Sequence, residues 1–328
     1  MNILVCGGAG YIGSHMVKIL NENNYSVSVL DNLSTGHAKH IQKNELINID
    51  LRCKEDVDNF FSRRAFDCVM HFSAMSLVGE SFKKKNEYYD NNVEGSKHLL
   101  NAMSKNNIKN FIFSSSAAIF GIPKTKKINE NHPKNPINPY GETKLEVEKL
   151  LQDYYYEKGI SSVSFRYFNA AGADPSSIIG ELHDPETHLI PNILNSILTN
   201  GKNKFAIFGN DYETPDGTCI RDYVHVNDIC NAHLKAIDYL HDNKGAHAFN
   251  LGNGNGFSVL NVLNSVEKVT NKKVIYEILD RRKGDPDMLV ADSSNANLLL
   301  GWEPNYKNLD DIIETAWNWH KSINTKND

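Results

Sequence analysis

An apolar run ending in three evenly spaced glycines, VCGGAGYIGSH, constrains the fold more than any other stretch of this sequence. Residues 2–6 are predicted to form a strand and 12–23 a helix, so Gly7, Gly10 and Gly13 occupy the turn between them. In such a unit one glycine makes the turn, the next lets the backbone approach a pyrophosphate, and the last lets the helix pack on the strand. The first helical amides then face the phosphates. Taken alone, a glycine triplet is also compatible with a turn that binds nothing.

An acidic residue at the end of the second predicted strand supports the binding interpretation. Asp31 follows Gly13 by 18 residues. A carboxylate in this place accepts hydrogen bonds from ribose hydroxyls and repels a 2′-phosphate. The turn and Asp31 together predict a dinucleotide site that prefers NAD to NADP. Asp50 ends the third predicted strand, where two interpretations stay open: a contact near an adenine ring, or an ordinary helix N-cap.

The first half of the chain alternates short apolar runs with amphipathic ones, which is typical of a parallel sheet with helical crossovers. Strands are predicted at 2–6, 26–30, 46–49, 67–72, 110–115 and 161–167, and helices at 12–23, 54–62, 87–106 and 142–158. In the second half, helices are predicted near 189–200, 227–241, after Ser258 and over 309–323, with a strand at 246–252. Asn227 or Asp228 is expected to cap the helix at 227–241.

The predicted fold class is therefore α/β, a Rossmann-type doubly wound parallel sheet with a smaller α/β substrate-binding domain. Residues 1–168 are predicted to form the NAD-binding domain. Residues 169–328 are predicted to be mainly substrate-binding, with about 221–251 returning to the Rossmann core. Ligands in such sheets bind beyond the carboxyl ends of the strands.

Composition excludes several classes of function. The net charge is −5, from 35 basic and 40 acidic residues, which argues against a nucleic-acid partner. No apolar run of about 18 residues and no signal peptide is found, so no membrane association is expected. Five cysteines without a C-x-x-C pair favour a reduced, cytoplasmic setting. The 13 histidines show no HExxH or paired Cys/His spacing, so no catalytic metal is expected.

A phenol and an ammonium lie one helical turn apart in PYGETK. Tyr140 precedes Lys144 by four residues, and such a pair shares one helix face. A nearby ammonium favours the phenolate and lowers a phenol pKa of about 10, which would make Tyr140 a useful base. Two unrelated surface side chains are the alternative. The upstream run FIFSSSAAIFG shifts the balance, because its serines end a strand on the same sheet edge as the glycine turn. A serine there can shuttle a proton to the tyrosine.

These motifs resemble the extended short-chain dehydrogenase/reductase family, and within it the UDP-glucose 4-epimerases. The likeness runs in order from Met1 to about His320, through GGAGYIGSH, LDNLSTG, HFSAMSLVGES, YYDNNVEG, FIFSSSAAIFG, PYGETKLEVE, RYFNAAGAD, PETHLIP, AIFGNDYETPDGTCIRDYVHVND, FNLGNGNGFSV and AWNWH. The resemblance implies an NAD-dependent isomerase that interconverts UDP-galactose and UDP-glucose through a transient 4-keto sugar. It also implies a homodimer.

The resemblance assigns roles to matching positions. Tyr140 would be the base, Lys144 its electrostatic partner and Ser116 the proton-shuttling serine. The implied NAD-binding residues are Gly7, Gly10, Tyr11, Ile12, Gly13, Asp31, Asn32, Asp50, Leu51, Phe72, Asn91, Ser114, Tyr140, Lys144, Tyr167 and Phe168. The implied substrate-binding residues are Ser116, Asn169, His188, Leu189, Ala206, Phe208, Arg221, Tyr223, Arg282 and Asp285. Arg221 and Arg282 also carry guanidinium forks in predicted second-half loops, where they suit a diphosphate.

Three positions depart from some relatives. Phe120 replaces a tyrosine and Ser76 a lysine. Leu289 stands where some relatives have tyrosine against the C2 substituent of the sugar, which leaves room for an N-acetyl group.

Two other functions are the alternatives to epimerisation. A sugar-nucleotide dehydratase or decarboxylase would need an acid beside Ser116, where Ala117 stands. A non-enzymatic NAD-sensing protein would not need the intact Tyr140, Lys144 and Ser116.

Overall fold

The computed structural model describes residues 1–41, 43–199, 205–282 and 284–324. Its strands are β1 (Asn2–Cys6), β2 (Ser26–Leu30), β3 (Glu45–Ile47), β4 (Cys68–His71), β5 (Asn110–Ser116), β6 (Ser161–Tyr167), β7 (Asn169–Ala171), β8 (Phe205–Phe208), β9 (Ile220–Arg221), β10 (Tyr223–His225), β11 (Ala246–Leu251), β12 (Phe257–Ser258), β13 (Tyr276–Leu279) and β14 (Met288–Leu289).

The helices are α1 (Tyr11–Glu22), α2 (Lys54–Phe61), α3 (Val78–Ser81), α4 (Lys85–Tyr89), α5 (Gly95–Lys105), α6 (Pro139–Lys158), α7 (Leu189–Leu198), α8 (Val226–Asp242), α9 (Val259–Thr270), α10 (Ser294–Leu300) and α11 (Leu309–Asn324). Short 3-10 turns cover Ala38–His40 and Ala117–Phe120, and a π-turn covers Asp90–Glu94 between α4 and α5. Asn200, the predicted end of the helix near 189–200, lies outside the described residues. No helix in the described ranges has the length and apolarity needed to cross a membrane.

Seven strands form one parallel sheet in the order β3-β2-β1-β4-β5-β6-β11. β1 is covered on both faces, which explains its unbroken apolar sequence. Ile3 and Val5 enter the core on one face, and Leu4 and Cys6 enter the core on the other. Successive side chains of a strand point to opposite faces, so a strand covered on both sides needs apolar residues at every position. The predicted doubly wound Rossmann sheet is confirmed.

β11 joins this sheet beside β6, with Ala246 opposite Ser162 and Leu251 opposite Tyr167. A second core brings together α7, β8, α9 and α11. Short strands in the second half, among them β8, β9, β13 and β14, were not predicted from the sequence. The division of the chain into an NAD-binding and a substrate-binding domain at the predicted boundaries stays a prediction.

Local signals explain how α6 begins and ends. Asn138 accepts a hydrogen bond from the amide of Gly141 at 2.8 Å, and Pro139 occupies the first turn. Gly159 closes the helix in a left-handed conformation, φ 66°. Asparagine before the first turn, proline inside it and glycine after the last are strong boundary signals. They place Tyr140 at the start of α6, beside the end of β5.

Candidate active site

Four predicted site segments meet at one edge of the sheet. The glycine turn follows β1, Asp31 follows β2, Ser114 and Ser116 end β5, and Tyr167 ends β6. Because all these strands are parallel, their carboxyl ends share this edge.

The glycine turn is shaped as a cradle. Gly7 has φ +78°, and a Cβ there would lie 2.5 Å from the backbone nitrogen of Ser73. A Cβ on Gly13 would lie 2.1 Å from the carbonyl oxygen of Gly7. At Gly10, in contrast, the nearest atom would be 3.4 Å away, an ordinary contact. Gly10 precedes α1 without any side-chain cap. The turn therefore leaves space and uncapped helical amides where a pyrophosphate would bind, which fits NAD.

Asp31 is 7% exposed and held by the backbone. Its two carboxylate oxygens accept hydrogen bonds from the amides of Ala9 at 2.9 Å and Leu33 at 2.8 Å. Burial raises the pKa of Asp31, and these two hydrogen bonds oppose the rise. Each oxygen has a second lone pair, so the oriented carboxylate can also accept from a ribose hydroxyl.

Asp50 is not the N-cap of α2, because Cys53 occupies that position, so this interpretation was wrong. Asp50 instead pairs with Arg52, with Nη2 and Oδ2 2.7 Å apart, and accepts a hydrogen bond from Asn32 Nδ2 at 3.0 Å. The hydrogen bond from the Arg52 side chain is the main cause that lowers the pKa of Asp50 to about 2. The adenine contact stays a prediction.

Among the remaining predicted NAD-binding residues, the polar side chains already have hydrogen-bond partners within the chain. Tyr11 donates its hydroxyl to the carbonyl oxygen of Gly172 at 2.6 Å, and the hydroxyls of Ser114 and Tyr167 contact each other closely. Asn91 lies in the π-turn and donates to Asn92 at 3.0 Å. Leu51 is buried, and Ile12, Phe72 and Phe168 are half-buried.

The predicted catalytic pair is brought against the end of β5. Lys144 is 2% exposed and donates from Nζ to the carbonyl oxygen of Ser114 at 2.6 Å. Its Nζ lies 4.8 Å from the centre of the Phe113 ring and 5.8 Å from that of Tyr140. Ser116 accepts a hydrogen bond from the amide of Ala118 at 3.1 Å, and its hydroxyl is near enough to Tyr140 to lower the pKa of the phenol.

The sequence predicts a lowered pKa for Tyr140, but burial in the folded chain raises this pKa. The nearby Ser116 hydroxyl only partly opposes the rise. Burial likewise lowers the pKa of Lys144 to about 7. Loss of hydration penalises the charged form of each group, and this outweighs the attraction that the i, i+4 spacing suggested.

A buried ionic group beside this pair was missed by the sequence analysis. Arg166 donates to both carboxylate oxygens of Glu148, from Nε at 2.9 Å and from Nη2 at 2.6 Å. Ser115 donates to the same carboxylate at 2.6 Å. Glu148 lies one turn after Lys144 on α6, and its charge acts against burial to raise the pKa of Lys144. The signal for it was the four-residue spacing of Tyr140, Lys144 and Glu148 on one helix face.

Several predicted substrate residues gather around β8, β9 and β14. Arg221 in β9 forms an ion pair with Asp285, and the guanidinium of Arg282 stacks 4.0 Å from the centre of the Phe208 ring. Ala206 lies two residues before Phe208 in β8. Leu289 in β14 is opposite Arg221 in register and packs on a small core cluster made of Ala117, Ile119, Phe120 and Ile128.

Two other predicted substrate residues lie along β7 and β10. Asn169 in β7 donates its side-chain amide to the carbonyl oxygen of Asp222 at 3.0 Å. Tyr223 in β10 is opposite Asn169 in register and is buried.

His188 is tied to a different group. It precedes α7 and Leu189, and its Nδ1 contacts Glu181. Glu181, His183, Glu186 and His188 lie together, with one donor atom of each within 4.8 Å of the others. Glutamates and histidines alternate along ELHDPETH, a spacing that differs from HExxH and from paired Cys/His motifs.

Comparison with known proteins gives consistent matches over the whole chain. The pattern of the NAD dependent epimerase/dehydratase family matches residues 3–252. The UDP-glucose 4-epimerase of Lactobacillus helveticus is 50% identical over 323 residues, 98% of each chain.

Solved structures agree. The UDP-glucose 4-epimerase from Brucella ovis in complex with NAD is 43% identical, with a TM-score of 0.93 over 96% of this chain and 97% of that one. The UDP-Glc/GlcNAc 4-epimerase of Campylobacter jejuni is 38% identical, with a TM-score of 0.85 over 98% and 99%.

Proposed function

The chain belongs to the NAD dependent epimerase/dehydratase family, and we propose that Tyr140, Lys144 and Ser116 carry out its UDP-glucose 4-epimerase reaction. The resemblance to UDP-glucose 4-epimerases and the isomerase class are confirmed by relatives that align over 98% of the chain. The NAD cofactor is confirmed by the family match and by the neighbouring structure in complex with NAD. The roles of individual residues are the proposal. The observation that carries it is the convergence of Tyr140, Lys144 and the serines of β5 at the sheet edge that holds the glycine turn.

NAD, when bound, would supply the acceptor and later the donor for the hydride at C4 of the hexose. The glycine turn and the uncapped start of α1 would hold its pyrophosphate, and Asp31 its adenine ribose. The residues present fit these tasks, since no side chain caps the amides at the start of α1 and Asp31 is already oriented by two backbone amides.

Tyr140 is proposed to take the proton of the sugar 4-hydroxyl, directly or through Ser116. The Ser116 hydroxyl is near enough to Tyr140 to lower the pKa of the phenol, and a hydroxyl in this place can relay the proton. Lys144, held by the carbonyl oxygen of Ser114, lies within 5.8 Å of the Tyr140 ring and favours the phenolate while it is protonated. The same tyrosine gives the proton back when the hydride returns, so the residues end as they began.

Arg221 and Arg282 are proposed to anchor the UDP diphosphate while the sugar turns. Arg221 is already paired with Asp285, and the guanidinium carbon of Arg282 lies over the Phe208 ring, 4.0 Å from its centre. A guanidinium fork restrained in this way loses little freedom on binding an anion. Anchoring one end of the substrate and leaving the sugar loose allows the 4-keto sugar to present either face.

Incubation with UDP-galactose, with and without added NAD, tests the assignment. We expect UDP-glucose to form and Tyr140→Phe to abolish its formation. Tyr156→Phe is the matched control, because Tyr156 is on the same helix but 83% exposed. Full activity in Tyr140→Phe would refute the assigned base. Activity that needs added NAD would show only that the cofactor is weakly retained.

We also propose that the site accepts N-acetylated UDP-hexoses. Leu289 packs at the side of the cluster that follows Ser116, and a leucine there leaves space that a tyrosine would fill. UDP-N-acetylglucosamine should be converted by the natural chain and not by Leu289→Tyr, whereas UDP-galactose should serve both. Leu298→Tyr, at a residue 78% exposed, is the control. No detectable conversion by the natural chain would contradict this extension.

A homodimer is proposed for the assembly. Exposed apolar side chains lie along α3 and α4: Val78 at 43%, Phe82 at 62% and Tyr89 at 44%. Light scattering should give twice the chain mass of 36.9 kDa, and Tyr89→Glu should shift the mass toward the monomer. A natural chain that is monomeric at micromolar concentration would contradict it.

A cytoplasmic location is proposed from the five unpaired cysteines. Cell fractionation should recover the chain with cytoplasmic markers, and recovery from an oxidising compartment would contradict this location.

A further inference from the structure

The segment that leads into α7 draws four metal-binding side chains into one place. Glu181, His183, Glu186 and His188 each offer one donor atom, and these atoms lie within 4.8 Å of one another. Glu181 is 4% exposed, and His183 and Glu186 are half-buried. They are two imidazoles and two carboxylates supplied by a stretch of eight residues.

The donor atoms of the four side chains already lie against one another. His183 Nδ1 is buried and lies 3.1 Å from Glu181 Oε1 and 3.8 Å from Glu186 Oε2. The Nδ1 atom of His188 approaches the same Glu181 oxygen. Two ring nitrogens thus converge on one carboxylate, an arrangement that serves either ion pairs of protonated imidazoles or the ligand set of one ion.

The residues that carry these donors are fixed by other contacts. Trp319 of α11 donates its indole N–H to the carbonyl oxygen of Glu181 at 2.8 Å. Glu186 uses Oε1 to accept the amides of Thr187 at 2.8 Å and His188 at 2.9 Å, which leaves Oε2 for another partner. The ring of His183 stands edge-on to that of His188, with 5.2 Å between centres. Donors restrained by their surroundings lose little freedom when a metal binds.

We propose that Glu181, His183, Glu186 and His188 bind one divalent transition-metal ion, of which zinc is the best fit, and that this ion fixes the segment 181–188 against α11 and the start of α7. Imidazole nitrogen with carboxylate oxygen is a donor set that Zn²⁺ takes in four-coordinate sites, whereas Mg²⁺ and Ca²⁺ prefer oxygen alone. Two donors bound to one ion at about 2.1 Å lie at most about 4.2 Å apart. The four donor atoms lie within 4.8 Å of one another, which is slightly more than this distance. Small side-chain rotations are therefore enough to bring all four donors onto one ion.

The role is structural, because the four residues supply every ligand of a four-coordinate ion and leave no open position for a substrate. The competing explanation is a cluster of protonated histidines and carboxylates that needs no metal. The two explanations differ in zinc content and in the effect of zinc on stability, neither of which depends on epimerase activity.

The test uses the full-length protein, freed of metal with a chelator and titrated with Zn²⁺. Bound zinc is measured by mass spectrometry of the metal, and stability by thermal unfolding. We expect one tightly bound ion per chain and a higher Tm with zinc. Glu186→Gln keeps the carbonyl-type oxygen that accepts the amides of Thr187 and His188 but loses the second carboxylate oxygen. It should weaken zinc binding by more than about 100-fold, since altering even a partner of a ligand costs about 10–100-fold.

Glu142→Gln is the matched control, because Glu142 is an exposed glutamate of α6 paired with Lys85. It should bind zinc like the natural chain. His183→Asn provides a second variant should Glu186→Gln fold poorly, and Co²⁺ provides a visible absorption spectrum that either variant should lose. The proposal is overturned if the natural chain binds no more zinc than Glu186→Gln, or if zinc leaves its Tm unchanged.

Discussion

Replacing Lys144 with methionine should make the protein more stable below neutral pH while removing its activity. Lys144 is 2% exposed, and burial lowers its pKa from 10.5 to about 7. Below pH 7 both folded and unfolded chains hold the proton, and the folded chain bears the full cost of the buried charge. Above pH 10.5 neither holds it and the cost is absent. The pKa falls by about 3.5, and each pKa unit corresponds to about 1.36 kcal/mol, so the buried charge lowers the free energy of unfolding by roughly 5 kcal/mol.

Other interactions of the ammonium reduce this gain. The hydrogen bond to the carbonyl oxygen of Ser114 is worth about 1.5–3 kcal/mol because its donor is charged, and the contact with the Phe113 ring about 1 kcal/mol. Lys144→Met loses both. The expected result at pH 6 is therefore a net stabilisation of about 2 kcal/mol. It shrinks by about 1.36 kcal/mol per pH unit as pH rises above 7, so it vanishes at about pH 8.5.

Urea unfolding at pH 6 and pH 9, with NAD saturating for both proteins, measures this difference. Lys149→Met is the control, because Lys149 is on the same helix with a side chain 62% exposed and a surface ion pair to Glu146. It should change stability by less than about 0.5 kcal/mol at either pH. A Lys144→Met protein that is less stable than the natural chain at pH 6, or a difference that does not depend on pH, would refute the reasoning.

Three further changes test other parts of the site. Arg166→Met leaves the Glu148 carboxylate buried without its guanidinium and should lower the free energy of unfolding in urea by about 3–5 kcal/mol. The double variant Arg166→Met/Glu148→Met should recover most of this loss, and equal losses in the two variants would contradict the reasoning. Gly13→Ala places a Cβ 2.1 Å from the carbonyl oxygen of Gly7 and should cost at least about 2 kcal/mol and abolish NAD binding, measured by calorimetry. Asp31→Asn replaces an acceptor of two backbone amides with a group that presents an N–H to one of them, so NAD should bind about 10–100-fold more weakly, and unchanged affinity would show that Asp31 does not bind the cofactor.

Local patterning was enough to predict the Rossmann half of the fold. β1 is found at Asn2–Cys6 as predicted, and the third strand, predicted at 46–49, is Glu45–Ile47. The helix predicted at 87–106 is instead α4, a π-turn and α5, because the turn at Asp90–Glu94 changes the hydrogen-bond spacing without breaking the apolar period. β9 and β14 are only two residues long, and they exist because β9 pairs with both β14 and β12, which no local pattern shows.

The cap of α8 shows how tertiary contacts override residue type. The sequence predicts Asn227 or Asp228 as the cap of this helix, but His225 is the N-cap, and its side chain accepts a hydrogen bond from the amide of Asn227. The carboxylate of Asp228 is engaged elsewhere, by the amides of Asn305 and Tyr306 at 3.0 Å. These partners are more than 70 residues away in sequence, so residue preferences within one helix turn could not reveal them.

The buried face of α6 explains why the catalytic pair was visible in the sequence while its electrostatics were not. Thr143, Lys144, Val147, Glu148 and Leu151 are all buried on this helix. A face that mixes a lysine and a glutamate with Val147 and Leu151 departs from ordinary patterning, and such departures mark functional sites. What offsets the charges comes from β5 and β6, through the carbonyl oxygen of Ser114, the hydroxyl of Ser115 and the guanidinium of Arg166. The helix thus supplies the reactive groups and the sheet sets their protonation, so only the folded chain shows that Lys144 resists carrying its charge.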